Sequence, residues 1–324
     1  MLQVRDLVKV YPGPVAALQG IDLELGEGMF GLLGPNGAGK STLMQIIAGI
    51  LEPTSGAVSL DGVDTTARPE YIWERLGYLP QDFGLYGHLS GRDMLAHLLR
   101  LKGVRAGGGL RQLCADLLER VNLSEAGKRK VKGYSGGMRQ RLGIAQAIAG
   151  DPRILIVDEP TAGLDPEERQ RFYNLLSELA QERIVLLSTH IVEDVSVLCS
   201  ELAVIREGRL VARTTPEAAR RAVAGAVWTG LVSSDEVDEV RAGHTVLQEQ
   251  LAENGTRLRL FHRGDEVPPG FRSVESTLED AYLSVMRRGA SALAETPVPV
   301  GVTAGPAPSS PGAEASGEAP GAEA

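Results

Sequence analysis

Gly34-Pro35-Asn36-Gly37-Ala38-Gly39-Lys40-Ser41-Thr42 is a complete G-x-x-x-x-G-K-[ST] phosphate loop. It follows a short apolar strand, Met29 to Leu33, and opens an apolar helix, Leu43 to Ala48. The chemistry needs that setting. Glycines let the backbone wrap phosphates and turn N–H groups inward. The helix N-terminus adds partial positive charge at the same place. Lys40 is placed to reach the β- and γ-phosphates, and the Ser41 hydroxyl to ligate magnesium.

The composition suits a soluble globular protein. The 324 residues are 43% hydrophobic and 23% charged, enough for one large domain and a smaller one. A formal net charge of -9 argues against general nucleic-acid binding, so no nucleic-acid partner is expected. Cys114 and Cys199 lie far apart, without metal-ligand spacing, and suit a reducing cytoplasm. The first residues lack the layout of a signal peptide, and no stretch has the apolar length of a membrane span. A membrane process would then need another chain to supply the membrane part.

Outward from the loop, Leu2 to about Arg213 alternates β-rich runs with helical patterns, as an α/β domain does. Ile154 to Val157 and Ile184 to Leu187 are continuous apolar runs that suit parallel strands buried on both faces. The helical pattern from Pro166 to Ala180 lies between them as a crossover. Ser90 to Val121 reads as helices broken near 104–109, with Ser90 as N-cap, and belongs to a helical lobe over about 85–150. A small α+β unit is expected over 214–288. It has a strand at Ala226 to Val232, a helix at Ser233 to Arg241 and strands at Thr245 to Leu251 and Thr256 to Phe261. Asn254-Gly255 turns between the last two, and a helix follows at Ser276 to Arg288. Residues 289–324 are mostly Ala, Gly, Pro, Ser and Glu, a composition that predicts a disordered tail.

A phosphate loop alone fits kinases, GTPases and many ATPases. The run Ile154-Leu155-Ile156-Val157-Asp158-Glu159 narrows the choice, because an apolar strand ends there in two carboxylates. Asp158 is placed to hold magnesium through water, and Glu159 to polarise an attacking water. Ser135-Gly136-Gly137-Met138-Arg139-Gln140 begins a second helix with Ser135 at the N-cap and uncovered N–H groups. A second phosphate-binding helix end is redundant within one chain. It makes sense if it meets a nucleotide held by another subunit.

With these parts in order, residues Leu2 to Arg213 resemble the ATP-binding subunit of an ABC transporter. The resemblance implies a P-loop NTPase domain with a mainly parallel sheet and a helical lobe. It implies ATP and Mg2+ as cofactors, and ATP hydrolysis coupled to transport. Tyr11 matches the family's adenine-stacking aromatic, Gly34 to Thr42 its Walker A loop, and Gln81 its Q-loop glutamine. Ser135-Gly136-Gly137 matches the signature, Ile154 to Asp158 Walker B, and Glu159 the catalytic glutamate. Asp165 ends the D-loop, and His190 in Ser188-Thr189-His190 is the switch histidine. Lys40, Gln81, Glu159 and His190 are thus the candidate catalytic groups, and Ser41, Gln81 and Asp158 the candidate metal ligands. Tyr134-Ser135-Gly136-Gly137-Met138 departs from the commonest signature at both ends, and Ala162 stands where Ser is frequent. The Met form, together with Ser276 to Leu283, resembles the drug, antibiotic and sodium exporter branch. The partners implied are a transmembrane permease and a second ATP-binding subunit, as a homodimer. The chain itself is expected to sit peripherally on the cytoplasmic face. A soluble ABC-type ATPase of translation or DNA maintenance is the alternative.

Other residues read two ways. Phe83, Leu85, Tyr86 and Leu89 form either a docking surface for a membrane subunit or apolar contacts under the helical lobe. Lys128-Arg129-Lys130-Val131-Lys132 is by default a solvated basic face, with attraction to lipid head groups or nucleotide phosphate as the alternative. His88, His97, His244 and His262 lack a catalytic setting.

Overall fold

The computed structural model describes residues 1–293 apart from 14, 105–106, 162 and 265–268. The tail expected to be disordered therefore lies outside the described residues. In chain order the elements are β1 (Leu2–Val10), β2 (Ala16–Leu25), β3 (Gly28–Leu33), α1 (Lys40–Ile47), β4 (Ser55–Leu60), β5 (Val63–Asp64), α2 (Pro69–Trp73) and β6 (Leu76–Leu79). Helices α3 (Gly91–Leu101), α4 (Leu110–Arg120) and α5 (Gly136–Ala147) follow, with two short 3₁₀ turns between α4 and α5. Then come β7 (Ile154–Asp158), α6 (Pro166–Leu179), β8 (Ile184–Thr189), α7 (Val192–Leu198), β9 (Glu201–Arg206) and β10 (Arg209–Thr214). The last are α8 (Pro216–Ala222), β11 (Val227–Val232), α9 (Val237–Gly243), β12 (Thr245–Ala252), β13 (Gly255–Phe261), β14 (Arg272–Ser273) and α10 (Leu278–Arg288).

A six-stranded sheet in the order β10-β9-β3-β8-β7-β6 organises the part of the chain that carries the glycine-rich loop. All its pairs are parallel except the β9–β10 hairpin. Every residue of β7 and β8 is buried, as continuous apolar strands covered on both faces require. One core packs the face shared by α5, α6 and α7, and a second packs α1 and the N-terminal strands against the opposite face. That second layer is an antiparallel sheet of four strands, β2-β1-β4-β5. Ser90 caps α3 by accepting from Asp93 N, as its sequence setting predicts.

The C-terminal elements build a third sheet in the order β12-β13-β11-β14. Here the helix expected over Ser233 to Arg241 begins only at Val237. Ser233 N and Oγ bond Glu236 Oε2 at 2.9 and 2.8 Å, closing a local turn that competes with helix formation. Thr277 and Asp280 form a capping box at the start of α10, and Arg259 pins the fully buried Asp280 to β13 at 2.5 and 2.7 Å. Arg220 of α8 reaches Ser196 of α7 at 3.3 Å. Among the described residues no helix is long and apolar enough to cross a membrane.

Candidate functional site

The carboxyl ends of adjacent parallel strands gather the site. The phosphate loop leaves β3, His190 follows β8, Asp158 ends β7 with Glu159 directly after it, and Gln81 follows β6. In an open parallel sheet these ends form the ligand-binding edge. Gly39 has φ +108, and a Cβ there would lie 2.6 Å from the Ala17 carbonyl oxygen. Only glycine fits that turn. As N-cap of α1 it brings no side-chain acceptor, which leaves the first-turn N–H groups to an anion.

Lys40 is 5% exposed. Its Nζ donates to the carbonyls of Gly34 at 2.7 Å and Pro35 at 3.2 Å, and stands 3.7 Å from Glu159 Oε1. Burial pulls its pKa down, and the carboxylates of Glu159 and Asp158 oppose that pull. Ser41 Oγ donates to Asp158 Oδ2 at 3.1 Å. Burial pushes the Asp158 carboxyl up, against hydrogen bonding and the Lys40 charge.

Glu159 joins the remaining groups. Its Oε2 accepts from Gln81 Nε2 at 3.2 Å, and His190 Nδ1 stands 3.3 Å from Oε1. Its backbone is left-handed, with φ +47, a conformation that costs a non-glycine residue about 1–3 kcal/mol. The Glu159 N–H bond to the Ser188 carbonyl at 2.9 Å helps to hold it.

The donor set suits a divalent cation carried by a nucleotide. Asp158 Oδ1 is buried without a hydrogen-bond partner, beside an oxygen pair already made by Ser41 and Oδ2. Hard cations take such oxygen ligands. Among the described residues no cluster of three or more His, Cys, Asp or Glu could hold a metal alone. The other ligands would come from phosphate and water.

A cavity of about 640 Å³ opens over the loop. Tyr11, Asn36, Gly37, Gly39, Lys40, Ser41, Thr42, Gln81 and Glu159 line it. Tyr11 stands at its wall, its hydroxyl 3.4 Å from Thr42 Oγ1. The sequence reading missed Ala16, Ala17, Gln19, Glu207 and Gly208, which also line the cavity. Gly208 N donates to the Ala38 carbonyl and Gln19 Nε2 to the Glu207 carbonyl, so the β9–β10 turn is tied both to the phosphate loop and to β2. No local signal marks a residue brought in by strand pairing that distant.

Ser135, Gly136, Gly137 and Asp165 do not line this cavity. Ser135 caps α5, accepting from Met138 N at 3.1 Å, and Asp165 caps α6, accepting from Glu168 N at 2.8 Å. The two helix starts lie against each other. A Cβ on Gly137 would be 2.5 Å from Glu168 Oε2, and Arg141 of α5 pairs with Glu168 at 3.1 Å. Gln81 lines both the phosphate-loop cavity and a neighbouring one of about 400 Å³ that reaches Gly136. Phe83, Leu85 and Leu89 pack against the hydrophobic core, while Tyr86 stays exposed.

Residues 18–162 match the ABC transporter family. The uncharacterized ABC transporter ATP-binding protein YxlF of Bacillus subtilis (strain 168) is 36% identical, over 65% of this chain and 69% of that protein. The Nod factor export ATP-binding protein I of Burkholderia orbicola (strain AU 1054) is 37% identical, over 67% of this chain and 71% of that one. ABC transporter A family member 10 of Arabidopsis thaliana is 34% identical over 72% of this chain. The chain spans only 26% of that relative's length, and 34% of family member 12. Among solved structures, a dimeric ATP-binding cassette in a post-hydrolysis state, bound to ADP and Pi, is 26% identical with a TM-score of 0.60. The similarity covers 66% of this chain and 98% of that one. The chain belongs to the ABC transporter family, as one of its ATP-binding, ATP-hydrolysing components.

Proposed function

We propose that the chain powers export by a membrane-spanning permease, working as a pair of copies that share two ATP molecules. The convergence of Lys40, Gln81 and His190 on Glu159 carries the reading. Lys40 exchanges its contacts with Gly34 and Pro35 for phosphate oxygens, and Tyr11 stacks on adenine. Ser41 and Asp158 would hold Mg2+, which would supply neutralisation of the phosphate charge. Glu159 orients and deprotonates the attacking water, while His190 steadies the γ-phosphate edge and Gln81 links the site to the surface beyond it.

The separation of Ser135, Gly136 and Gly137 from the phosphate-loop cavity supports pairing. Those N–H groups would close over the γ-phosphate held by the other copy, in an isologous arrangement. The dimeric solved relative supports the same assembly. Hydrolysis then removes the group that bridges the halves, and the pair reopens. The Met form of the signature and the export role in the Burkholderia protein's name support export. The chain would act at the cytoplasmic face. Purification of the tagged chain from a detergent extract tests the transporter reading. A protein with several membrane spans should accompany it, and its consistent absence would refute the proposal.

A further inference from the structure

The first turn of α7 carries Asp194, which is fully buried. A carboxylate in such a place is costly unless hydrogen-bonded. Three hydroxyls meet it. Its Oδ2 accepts from Thr161 Oγ1 at 2.5 Å and Thr189 Oγ1 at 3.0 Å, and its Oδ1 from Tyr173 OH at 2.5 Å. Thr189 Oγ1 itself accepts the Ile191 N–H at 2.9 Å, which directs its hydrogen at Asp194. Burial, and then the bond to Asp194, push the Tyr173 phenol far up and keep it a donor.

The positions of the two threonines make this more than a satisfied core acid. Thr161 stands two residues after Glu159, and its carbonyl accepts Leu164 N at the start of the turn toward Asp165. Thr189 immediately precedes His190. One carboxylate oxygen therefore ties together the two segments that carry Glu159 and His190. The helix bearing Asp194 also rests on the strand that feeds the phosphate loop. A Cβ on Gly31 of β3 would lie 2.8 Å from Val195 and 3.0 Å from the Cys199 sulfur. Asp194 does not line the phosphate-loop cavity.

We infer that Asp194 is a positioning residue for hydrolysis, a clamp whose two threonine bonds set the spacing of Glu159 and His190. The inference rests on the proposed roles of those two residues. Catalytic groups must be held to about half an ångström, and small misplacements cost large factors in rate. Asp194→Asn keeps the shape but offers one acceptor where three donors converge.

The test measures steady-state MgATP hydrolysis by the full chain, in Asp194→Asn, Thr161→Val and Thr189→Val, each alone and combined with His190→Ala. The clamp predicts a fall in kcat of about 10- to 100-fold with KM for ATP changed less than about twofold. It also predicts that the double variants lose far less than the product of the single losses, because the residues act as a unit. Single-variant kcat near that of the parent, or fully multiplicative losses, would overturn it. If Asp194→Asn does not fold, the two threonine variants decide by the same criteria. Glu159→Gln serves as the reference. Normal turnover in that variant overturns both the hydrolysis reading and the clamp. Abolished turnover there, with parental kcat in the clamp variants, overturns the clamp alone.

Discussion

Replacing Glu168 by Ala should destabilise the protein by about 3 kcal/mol, because it strands a buried guanidinium. The Arg141 and Glu168 side chains are 8% and 16% exposed, and Arg141 Nη2 stands 3.1 Å from Glu168 Oε2 and 3.2 Å from Oε1. Breaking such a pair from one side costs about 3–5 kcal/mol. The lower figure applies because Glu168 keeps some water, and Arg141 Nη1 retains the Asn122 carbonyl at 3.0 Å. At roughly 2 °C per kcal/mol, Glu168→Ala should lower Tm by about 6 °C. Arg141→Met with Glu168→Leu removes both charges and should recover most of that loss. The assay is thermal unfolding of Glu168→Ala, and of Arg141→Met, Glu168→Leu and their combination as a double-mutant cycle. A Tm change under about 1 °C in Glu168→Ala, or strictly additive singles, would refute the reasoning. The pair matters beyond stability because Glu168 abuts Gly137 at the start of α5.

Three further outcomes follow from the same geometry. Asp158→Asn should stabilise the nucleotide-free chain by about 1 kcal/mol while abolishing the Tm rise that MgATP produces, since sites that bind charge sacrifice stability. The sign agrees with its raised pKa. The folded state holds that proton more tightly, so Asp158 costs stability increasingly as pH rises through the carboxylate range, and a pH series of Tm for parent and variant should converge in acid. Gly31→Ala should cost about 1–3 kcal/mol, seen in urea unfolding, because its Cβ meets Val195 and Cys199. Tyr11→Ala should raise KM for ATP about 3- to 10-fold with little change in kcat, the expectation for lost ring stacking. A fall in kcat alone would contradict that role.

How much was legible in the sequence depends on how local each feature is. The phosphate loop, the strands at Ile154 and Ile184 and the Asn254-Gly255 hairpin declare themselves within a few residues. Each appears in the structure, but the hairpin turn lies one residue earlier than expected, at Glu253-Asn254, because Gly255 already pairs with Ala252 as the first residue of β13. The antiparallel sheet of β1, β2, β4 and β5 did not. β1 pairs with β4 across the whole phosphate loop, and irregular register between Val4 and Leu7 breaks the alternation that would reveal a half-buried strand. The separate site residues Gln81, Glu159 and His190 were readable from their motifs. Their meeting depends on the strand order β8-β7-β6, which no short window encodes. Asp194 was invisible for a related reason. It lies in an acidic helix turn that looks solvated, and only the folded chain brings three hydroxyls to it.

The central claim is that each ATP is hydrolysed between two copies, with Gly34 to Thr42 of one facing Ser135 to Gly137 of the other. Hydrolysis rate per chain, measured across a dilution series with the assembly state followed in parallel, tests it most directly. The account predicts that the rate per chain falls as the dimer dissociates, while the monomer still binds ATP. A rate per chain that stays constant down to a demonstrated monomer would contradict it.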